Sequence, residues 1–414
     1  MQLHFRMYVP DAEPRWHTPD SPVGGSIPDK AYWHLSGTDY QGRDWRCDRV
    51  LVNPGWSQPG RGSILGARLP LLQGREELDE PVEGGSFTGF VFHDLRLPAN
   101  RRTHIRTERD TEWSESGSWD TAVAQLQGVR FLFHQDEEEQ FRVSAWHPSD
   151  PLHPYFAERV REALQFIAAF PVSWAVTDES AGTERKTYIR GRPSPRFAPR
   201  IQRPIPGNVA YSEIPTWRLF ESYLAFVSKD TTSEIHRISA EWGEVLRSSI
   251  GTVETEALIS AITVESLCRY LQELRPGLSY AGAPEAGGWG DRVDTFLRVA
   301  GASERLRRRV RGVFNKMIRS DHTDVLIELQ SAGAIEARLV EAWNRWRPIM
   351  AHGDREAQAK SEELSRGTNA VVTLLYQLYF HVIGYAGLYT DFSQVPWRGR
   401  SYPPGSVLTD LRSS

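Results

Sequence analysis

A proline-rich segment near the middle of the chain is the feature that most constrains its fold. Residues 191–206 read GRPSPRFAPRIQRPIP, with five prolines in sixteen positions. Proline fixes its own φ angle and has no amide hydrogen to donate, so this segment can form neither the interior of a helix nor a central strand. We predict a semi-rigid linker over 191–213 that separates two domains of different secondary structure. The segment is also basic, which suits either a solvated linker or contact with a nucleic-acid backbone through Arg192, Arg196, Arg200 and Arg203.

The sequence before the linker is typical of a β-rich domain. Val129, Phe131 and Phe133 alternate with Arg130 and Leu132, and apolar and polar side chains alternate over 141–145. The acidic residues between these two runs suit a hairpin connection. An amphipathic helix is expected at about 155–170, because its apolar residues recur at helical spacing. Two further short strands, near 173–177 and 187–190, are expected to return to the sheet. We therefore assign residues 1–190 to a β-rich N-terminal domain with a candidate sensor or regulatory role.

The sequence after the linker is typical of a helical bundle. Apolar residues recur at helical spacing, and no convincing strand pattern appears among them. Helices are predicted at about 216–228, 233–248, 254–274, 291–300, 303–317, 324–331, 334–346 and 364–385. These boundaries predict an α+β protein in which an all-helical domain over 214–392 follows the β-rich domain, with residues 393–414 as a C-terminal tail.

Composition limits which binding partners and which cellular compartment suit this chain. The formal net charge is -4, so a polyanion could be bound only through a local basic patch. The two cysteines, Cys47 and Cys268, are far apart in sequence and suit a reducing compartment. No run of about 18 uncharged apolar residues occurs, so we expect a cytoplasmic protein that makes no membrane contact.

One stretch carries residues suited to catalysis. Residues 341–354 read EAWNRWRPIMAHGD, and the apolar spacing before Pro348 marks the buried face of a helix. Proline disfavours helical geometry in the residue before it, so we expect the helix to end near Pro348 and place Arg347 at a break. A short turn would then bring His352 close to that arginine. Arginine is permanently charged and histidine titrates near pH 6.5, so the pair suits work on a phosphodiester.

These residues resemble the HEPN family, in which an arginine is followed after four to six residues by a histidine inside a helical bundle. Both Arg347 and Arg345 have this spacing to His352. The apolar helix around Glu265 and the ending at 383–387 are similar to the ApeA-like branch of bacterial anti-phage abortive-infection systems. In that branch a β-rich domain precedes a C-terminal HEPN bundle.

The resemblance implies a function and its partners. It implies a metal-independent ribonuclease, without metal or cofactor, in which Arg347, His352 and Arg345 are catalytic candidates. Two copies would dimerise through the HEPN domain and line one cleft. Cleavage of RNA in that cleft would leave a 2′,3′-cyclic phosphate and a 5′-hydroxyl. RNA, with tRNA as a candidate, would be the partner, and a phage-derived component the trigger. Glu265 is a fourth candidate for the catalytic site: from the residues alone, it either orients the arginine or histidine of the motif or pairs elsewhere in the structure.

The residue after the arginine departs from the family pattern. Nuclease members commonly have Asn, Asp or His there, whereas Pro348 follows Arg347 and Trp346 follows Arg345. The first alternative is therefore a catalytically inactive HEPN module that binds nucleotide or RNA or mediates protein assembly. A second alternative is an antitoxin-like partner of another protein.

A basic cluster lies on one predicted helix. Arg305, Arg308, Arg309 and Lys316 share roughly one face of it. This face is either solvated or a track for an RNA backbone. No metal site is predicted, because His322 and Asp324 have no second cluster of ligands to join them.

Overall fold

The computed structural model describes residues 33–39, 42–54, 65–68, 71–91, 95, 97–109, 112–135, 140–190, 199–205, 212–275, 289–310, 322–352 and 361–405. An antiparallel sheet is followed by a helical region, which confirms the mixed α+β class. No helix in this described part of the chain is both long and apolar enough to cross a bilayer.

The sheet consists of antiparallel strands. They are β1 (Trp33–Thr38), β2 (Asp44–Pro54), β3 (Leu65–Arg68), β4 (Leu71–Val91), β5 (Arg101–Arg109), β6 (Glu112–Leu126), β7 (Val129–Gln135), β8 (Phe141–His147) and β9 (Val176–Arg190). The strand order is β1-β2-β4-β8-β7-β6-β5, with β3 paired to β2 and β9 paired to β4. The predicted hairpin is confirmed as β7 and β8. Between β6 and β7 the chain turns at Gln127 and Gly128, whose φ angles of 49° and 84° are both positive, as a type I′ hairpin turn requires.

Strand β9 differs from its prediction. We expected two short strands, but β9 runs unbroken from Val176 to Arg190 along β4. Its central residues are polar or small, so the apolar alternation that marks a strand is absent there. Pairing with β4 supplies the order instead, together with ion pairs such as Arg75 to Glu184 at 2.7 Å.

Most of the C-terminal half is helical, as the helical spacing of its apolar residues predicted. The helices there are α2 (Glu213–Val227), α3 (Arg237–Ile250), α4 (Val253–Leu274), α5 (Trp289–Val299), α6 (His322–Ser331), α7 (Ala337–His352) and α8 (Ser361–Ile383), while α1 (Phe156–Ala168) lies before the linker, where a helix was predicted. Residues 304–310 are also helical.

A shared core joins the sheet to the helices. Phe133 of β7 stacks on Trp217 of α2 with ring centroids 4.3 Å apart. Helix α1, which lies before the linker in sequence, packs Phe166 against Trp242 of α3 and Tyr379 of α8 at centroid distances of 5.2 and 5.1 Å. The helical region is therefore held against the sheet through buried aromatic contacts.

Part of the linker and the chain end are ordered against the bundle. Ile201 and Ile205 are buried, and the Tyr376 hydroxyl donates to the carbonyl of Gln202. The expectation of a solvated linker is therefore wrong for Ile201, Pro204 and Ile205, whereas Arg200 and Gln202 are exposed. Strands β10 (Gly387–Asp391) and β11 (Arg398–Tyr402) form a hairpin that we did not predict. Its strands are too short to show a clear alternation of apolar and polar residues. The hairpin depends on Asp391, which is buried and pairs with Arg338 and Arg400 at 2.7 and 2.9 Å.

A buried ion pair fixes the segment before α3. Arg159 and Glu162 of α1 lie 2.9 Å apart and are both almost fully inaccessible to water. The Arg159 guanidinium donates to the carbonyls of Asp230, Ser233 and Glu234. The Glu162 carboxylate accepts hydrogen bonds from the backbone amide of His236 and the hydroxyl of Ser239. The opposite charges of Arg159 and Glu162 thus compensate each other, as burial requires.

Stability should fall with acid because of His236. Burial, and then the charge of Arg159, lowers the pKa of His236 to about 4. The unfolded chain, where histidine titrates near pH 6.5, therefore binds more protons between pH 6.5 and 4. The stabilisation is complete above pH 6.5 and is lost as the pH falls through this window, by about 1.4 kcal/mol per pKa unit.

The variant His236→Asn isolates this contribution. Asparagine can still accept the hydrogen bond that the Nδ1 of His236 takes from the amide of Ile238 at the start of α3. We expect the variant to be less stable at pH 7 but to show a flatter fall in unfolding free energy between pH 6.5 and 4. Urea unfolding at a series of pH values measures this, and equal slopes would contradict it.

Candidate functional site

Helix α7 continues through Pro348, so our expectation of a helix break there is wrong. The helix runs from Ala337 to His352 with Pro348 inside it. Proline removes one hydrogen bond, to the carbonyl four residues earlier, and costs about 3 kcal/mol in a helix interior. Both Pro348 and Asn344 lie on the exposed side of α7. The opposite side buries Trp343 and Trp346, and this packing holds the helix together across the proline.

The continuous helix sets the spacing of the candidate catalytic residues. Arg347 and His352 are five positions apart, with four residues between them, which places the two Cα positions about 7.5 Å apart along the axis and about 140° apart around it. Arg345 and His352 are seven positions apart, with six residues between them, which places their Cα positions about 10.5 Å apart along the axis but only about 20° apart around it. The structure describes the backbone of His352 as the last residue of α7, whereas its side chain lies outside the described part.

Arg347 is held by two neighbours. Its Nε donates to the carboxylate of Glu265 on α4, and its guanidinium lies 5.5 Å from the centroid of the Trp343 ring. Trp343 precedes Arg347 by four residues, so the side chain lies back along α7 towards the N-terminal end of the helix. In this conformation the guanidinium points away from the end of the helix where His352 lies.

Glu265 is the carboxylate at the centre of this site. It lies on α4, 82 positions from Arg347 in sequence, and Arg269 approaches it to 4.0 Å from the next turn of the same helix. Of the two predictions for Glu265, the structure agrees with contact to the motif, because the Glu265 carboxylate accepts a hydrogen bond from Arg347. Its catalytic role stays a prediction.

Arg345 lies on a different part of the surface. It pairs with Glu363 of α8 at 2.6 Å and covers the ring of Trp346 at 5.4 Å. The two arginines with the predicted spacing are therefore bound to different carboxylates on different helices.

Helices α7 and α8 approach closely behind the site at Gly367. A Cβ atom on Gly367 would overlap the indole of Trp346, which is buried. We expect Gly367→Ala to lower the free energy of unfolding by about 1–3 kcal/mol, because the indole must move within a packed core. Urea unfolding measures this loss.

Gly243→Ala is the matched control. Gly243 also lies inside a helix, α3, but a Cβ there would meet its nearest neighbour at an ordinary 3.6 Å. This substitution is expected to be neutral or stabilising by up to about 1 kcal/mol. Equal losses for the two variants would contradict the close approach at Trp346.

The predicted basic cluster is exposed. Arg305, Arg308 and Arg309 lie on the helical residues 304–310, and Arg308 pairs with Glu304 at 3.3 Å. Lys316 lies outside the described residues. The contact of Arg308 is therefore local to its own helix, and the role of the cluster in binding RNA stays a prediction.

Metal ligands do not cluster in the described part of the chain, where no group of three or more His, Cys, Asp or Glu could hold a metal ion. His322, which we considered as a ligand, packs edge-on against the ring of Trp343 with centroids 5.4 Å apart. It thus takes part in the packing between α6 and α7.

Sequence reasoning missed Arg269 as part of the site. A signal was present, because Arg269 follows Glu265 by four residues on one predicted helix, the spacing of a helical ion pair. The link from that pair to Arg347 had no signal, since it depends on how α4 and α7 pack.

Comparisons of the chain with models of protein families, with curated proteins and with solved structures found no match.

Proposed function

We propose that this chain is a metal-independent ribonuclease of the HEPN type that acts in bacterial anti-phage defence. The observation that carries the proposal is the guanidinium of Arg347, partly exposed and oriented by Glu265 and Trp343 on the helix that ends at His352. A fixed, solvent-facing guanidinium is suited to bind a phosphate and to stabilise charge on its oxygens.

The proposed reaction uses the RNA's own hydroxyl. A base, for which His352 is the candidate, removes the proton of the 2′-hydroxyl, and the 2′-oxygen attacks the adjacent phosphorus. The bond from phosphorus to the 5′-oxygen breaks, and that oxygen takes up a proton from water, to which the protonated base returns the proton that it removed. Arg347 offsets the negative charge that grows on the phosphoryl oxygens. The products are a 2′,3′-cyclic phosphate and a 5′-hydroxyl, and DNA, which lacks the 2′-hydroxyl, is not cleaved.

We further propose that two copies complete the site. Within one copy, the Arg347 side chain lies along α7 away from the end of the helix that carries His352. A homodimer through the helical domain would bring the arginine of one copy to the histidine of the other. The β-rich part, held to α2 through Phe133 and Trp217, would then transmit recognition of a phage-derived trigger to the helices.

The test is the chemistry of the cleaved ends. Purified full-length chain is incubated with total tRNA in EDTA, alongside a DNA of the same sequence as one tRNA. We expect cleavage of the RNA alone, with new 5′-hydroxyl ends that polynucleotide kinase labels without prior phosphatase. Products with 5′-phosphates, or cleavage that needs a divalent metal, would reject the proposal.

The second candidate function is a catalytically inactive HEPN module that binds RNA or nucleotide, or mediates assembly. The direction of the Arg347 side chain and the proline that follows it favour this candidate. Binding of tRNA without any cleavage, in the presence of the trigger, would select it.

A further inference from the structure

Three arginines lie side by side on the surface formed by α3, α4 and α7. They are Arg237, Arg269 and Arg347, whose side chains are 42%, 62% and 39% exposed. We call them the arginine row. Arg347 belongs to the sequence motif, whereas the other two come from separate helices and have no motif around them.

Recessed carboxylates hold the row in place. Glu265 takes Arg347 on one carboxylate oxygen and faces Arg269 with the other at 4.0 Å. Glu241 pairs with Arg237 at 3.4 Å, also accepts a hydrogen bond from Ser266, and is close enough to Arg269 for their charges to interact. Glu265 and Glu241 are only 16% and 18% exposed. The carboxylates thus lie beneath the surface while the guanidiniums face the solvent.

Aromatic rings orient the two ends of the row. The Arg237 guanidinium lies 5.1 Å from the centroid of Tyr270, and the Arg347 guanidinium 5.5 Å from that of Trp343. A guanidinium over an aromatic face keeps most of its N–H donors directed outwards. Ordering these long side chains in advance lowers the entropy cost of binding a ligand.

Arg269 at the centre has the donors that a ligand would need. Its ion pair with Glu265 is 4.0 Å long, which is beyond hydrogen-bond distance. A guanidinium carries five N–H donors, arranged to bind two oxygens of a phosphate together. The charges around the row include one exposed carboxylate, Glu273, which pairs with Arg237 at the outer end.

We propose that the arginine row is a binding track for the phosphate backbone of RNA, with Arg269 as its central contact. The track leads along α3 and α4 to Arg347 and so positions successive phosphates at the candidate active site. The choice of RNA as ligand rests on the proposed function. Arg269 is a positioning residue in this proposal, because it binds the backbone away from the reacting atoms.

Binding of a 2′-O-methyl RNA oligonucleotide tests the track without cleavage, since the blocked 2′-oxygen cannot attack. Fluorescence anisotropy of the labelled oligonucleotide is measured with the full chain in EDTA over a series of salt concentrations. Losing one phosphate contact to single-stranded RNA lowers the slope of log affinity against log salt by about 0.7. We expect this change for Arg269→Ala, with about fivefold weaker binding at 0.1 M salt. Arg269→Lys should keep the slope of the wild type, because it keeps the charge.

Arg366→Ala is the matched control. Arg366 is 68% exposed and pairs with a glutamate four residues before it on α8, as Arg269 does on α4. It should bind as the wild type does. Equal affinity and slope for the Arg269 and Arg366 variants, or no binding by the wild type, would overturn the track. If the wild type binds through Arg269 but leaves unmodified RNA uncut, the nuclease proposal fails and the track stands.

Discussion

Replacing His352 with alanine is expected to abolish RNA cleavage in EDTA while the chain stays folded. Proton transfer by a positioned side chain contributes about 10² to 10⁴-fold to such reactions, so the variant should lose at least 99% of the activity. Alanine is the residue most favourable to a helix, and position 352 is the last residue of α7, so the helix should persist. Cleavage of total tRNA, quantified on a denaturing gel beside a circular dichroism spectrum, measures both effects.

The arginine variants sharpen this test. Arg347→Ala should lower the rate by about 10² to 10³-fold if its guanidinium stabilises charge on the phosphate. Arg345→Ala should leave most of the activity, because Arg345 pairs with Glu363 on a different part of the surface. If Arg345 is the variant that loses activity instead, the six-residue spacing identifies the catalytic arginine. Equal cleavage by His352→Ala and the wild type would end the nuclease proposal.

The largest expected effect on stability comes from Arg159→Met. This change leaves the carboxylate of Glu162 buried without its cation, together with three backbone carbonyls that lose their donor. Removing one partner of a buried ion pair typically costs about 3–5 kcal/mol, because the remaining charge is no longer compensated. We expect a loss of this size in the free energy of unfolding, measured in urea by tryptophan fluorescence.

An exposed pair provides the comparison. Arg247 and Glu244 lie three residues apart on α3 and are both largely exposed. Arg247→Met should cost at most about 1 kcal/mol, since solvent screens both charges. The double variant Arg159→Met, Glu162→Leu should recover part of the loss, because no isolated charge remains. A loss no larger for Arg159 than for Arg247 would show that the buried network does not stabilise the fold.

Local patterns in the sequence were sufficient for most of the secondary structure. The helical spacing of apolar residues predicted α2, α3 and α4 within a few positions, and the alternation in β7 and β8 predicted their hairpin. Both patterns arise because apolar residues lie on the side of their own helix or strand that faces the core, and polar residues lie on the other side. The mixed α+β class follows from the change of pattern across the prolines.

The elements that were missed depend on partners far away in sequence. The middle of β9 carries no apolar alternation and is ordered by β4, and the β10–β11 hairpin depends on Asp391 meeting Arg338 of α7. Helix α7 passes through Pro348 because Trp343 and Trp346 are packed on its buried side. In each case a tertiary contact decides the structure, and at Pro348 it outweighs a local cost of about 3 kcal/mol.

The candidate site likewise has features that the sequence determines and features that depend on tertiary packing. By itself the sequence determined which side chains could act on a phosphodiester, because the charge of a guanidinium and the proton-transfer chemistry of an imidazole come with the residue types at 347 and 352. Only the tertiary structure decided that α4 presents Glu265 to Arg347 across 82 positions of chain, and that Arg269 joins them on the same carboxylate. Charge interactions act through space over a few ångströms, so their partners are chosen by how the helices pack and not by spacing along the chain.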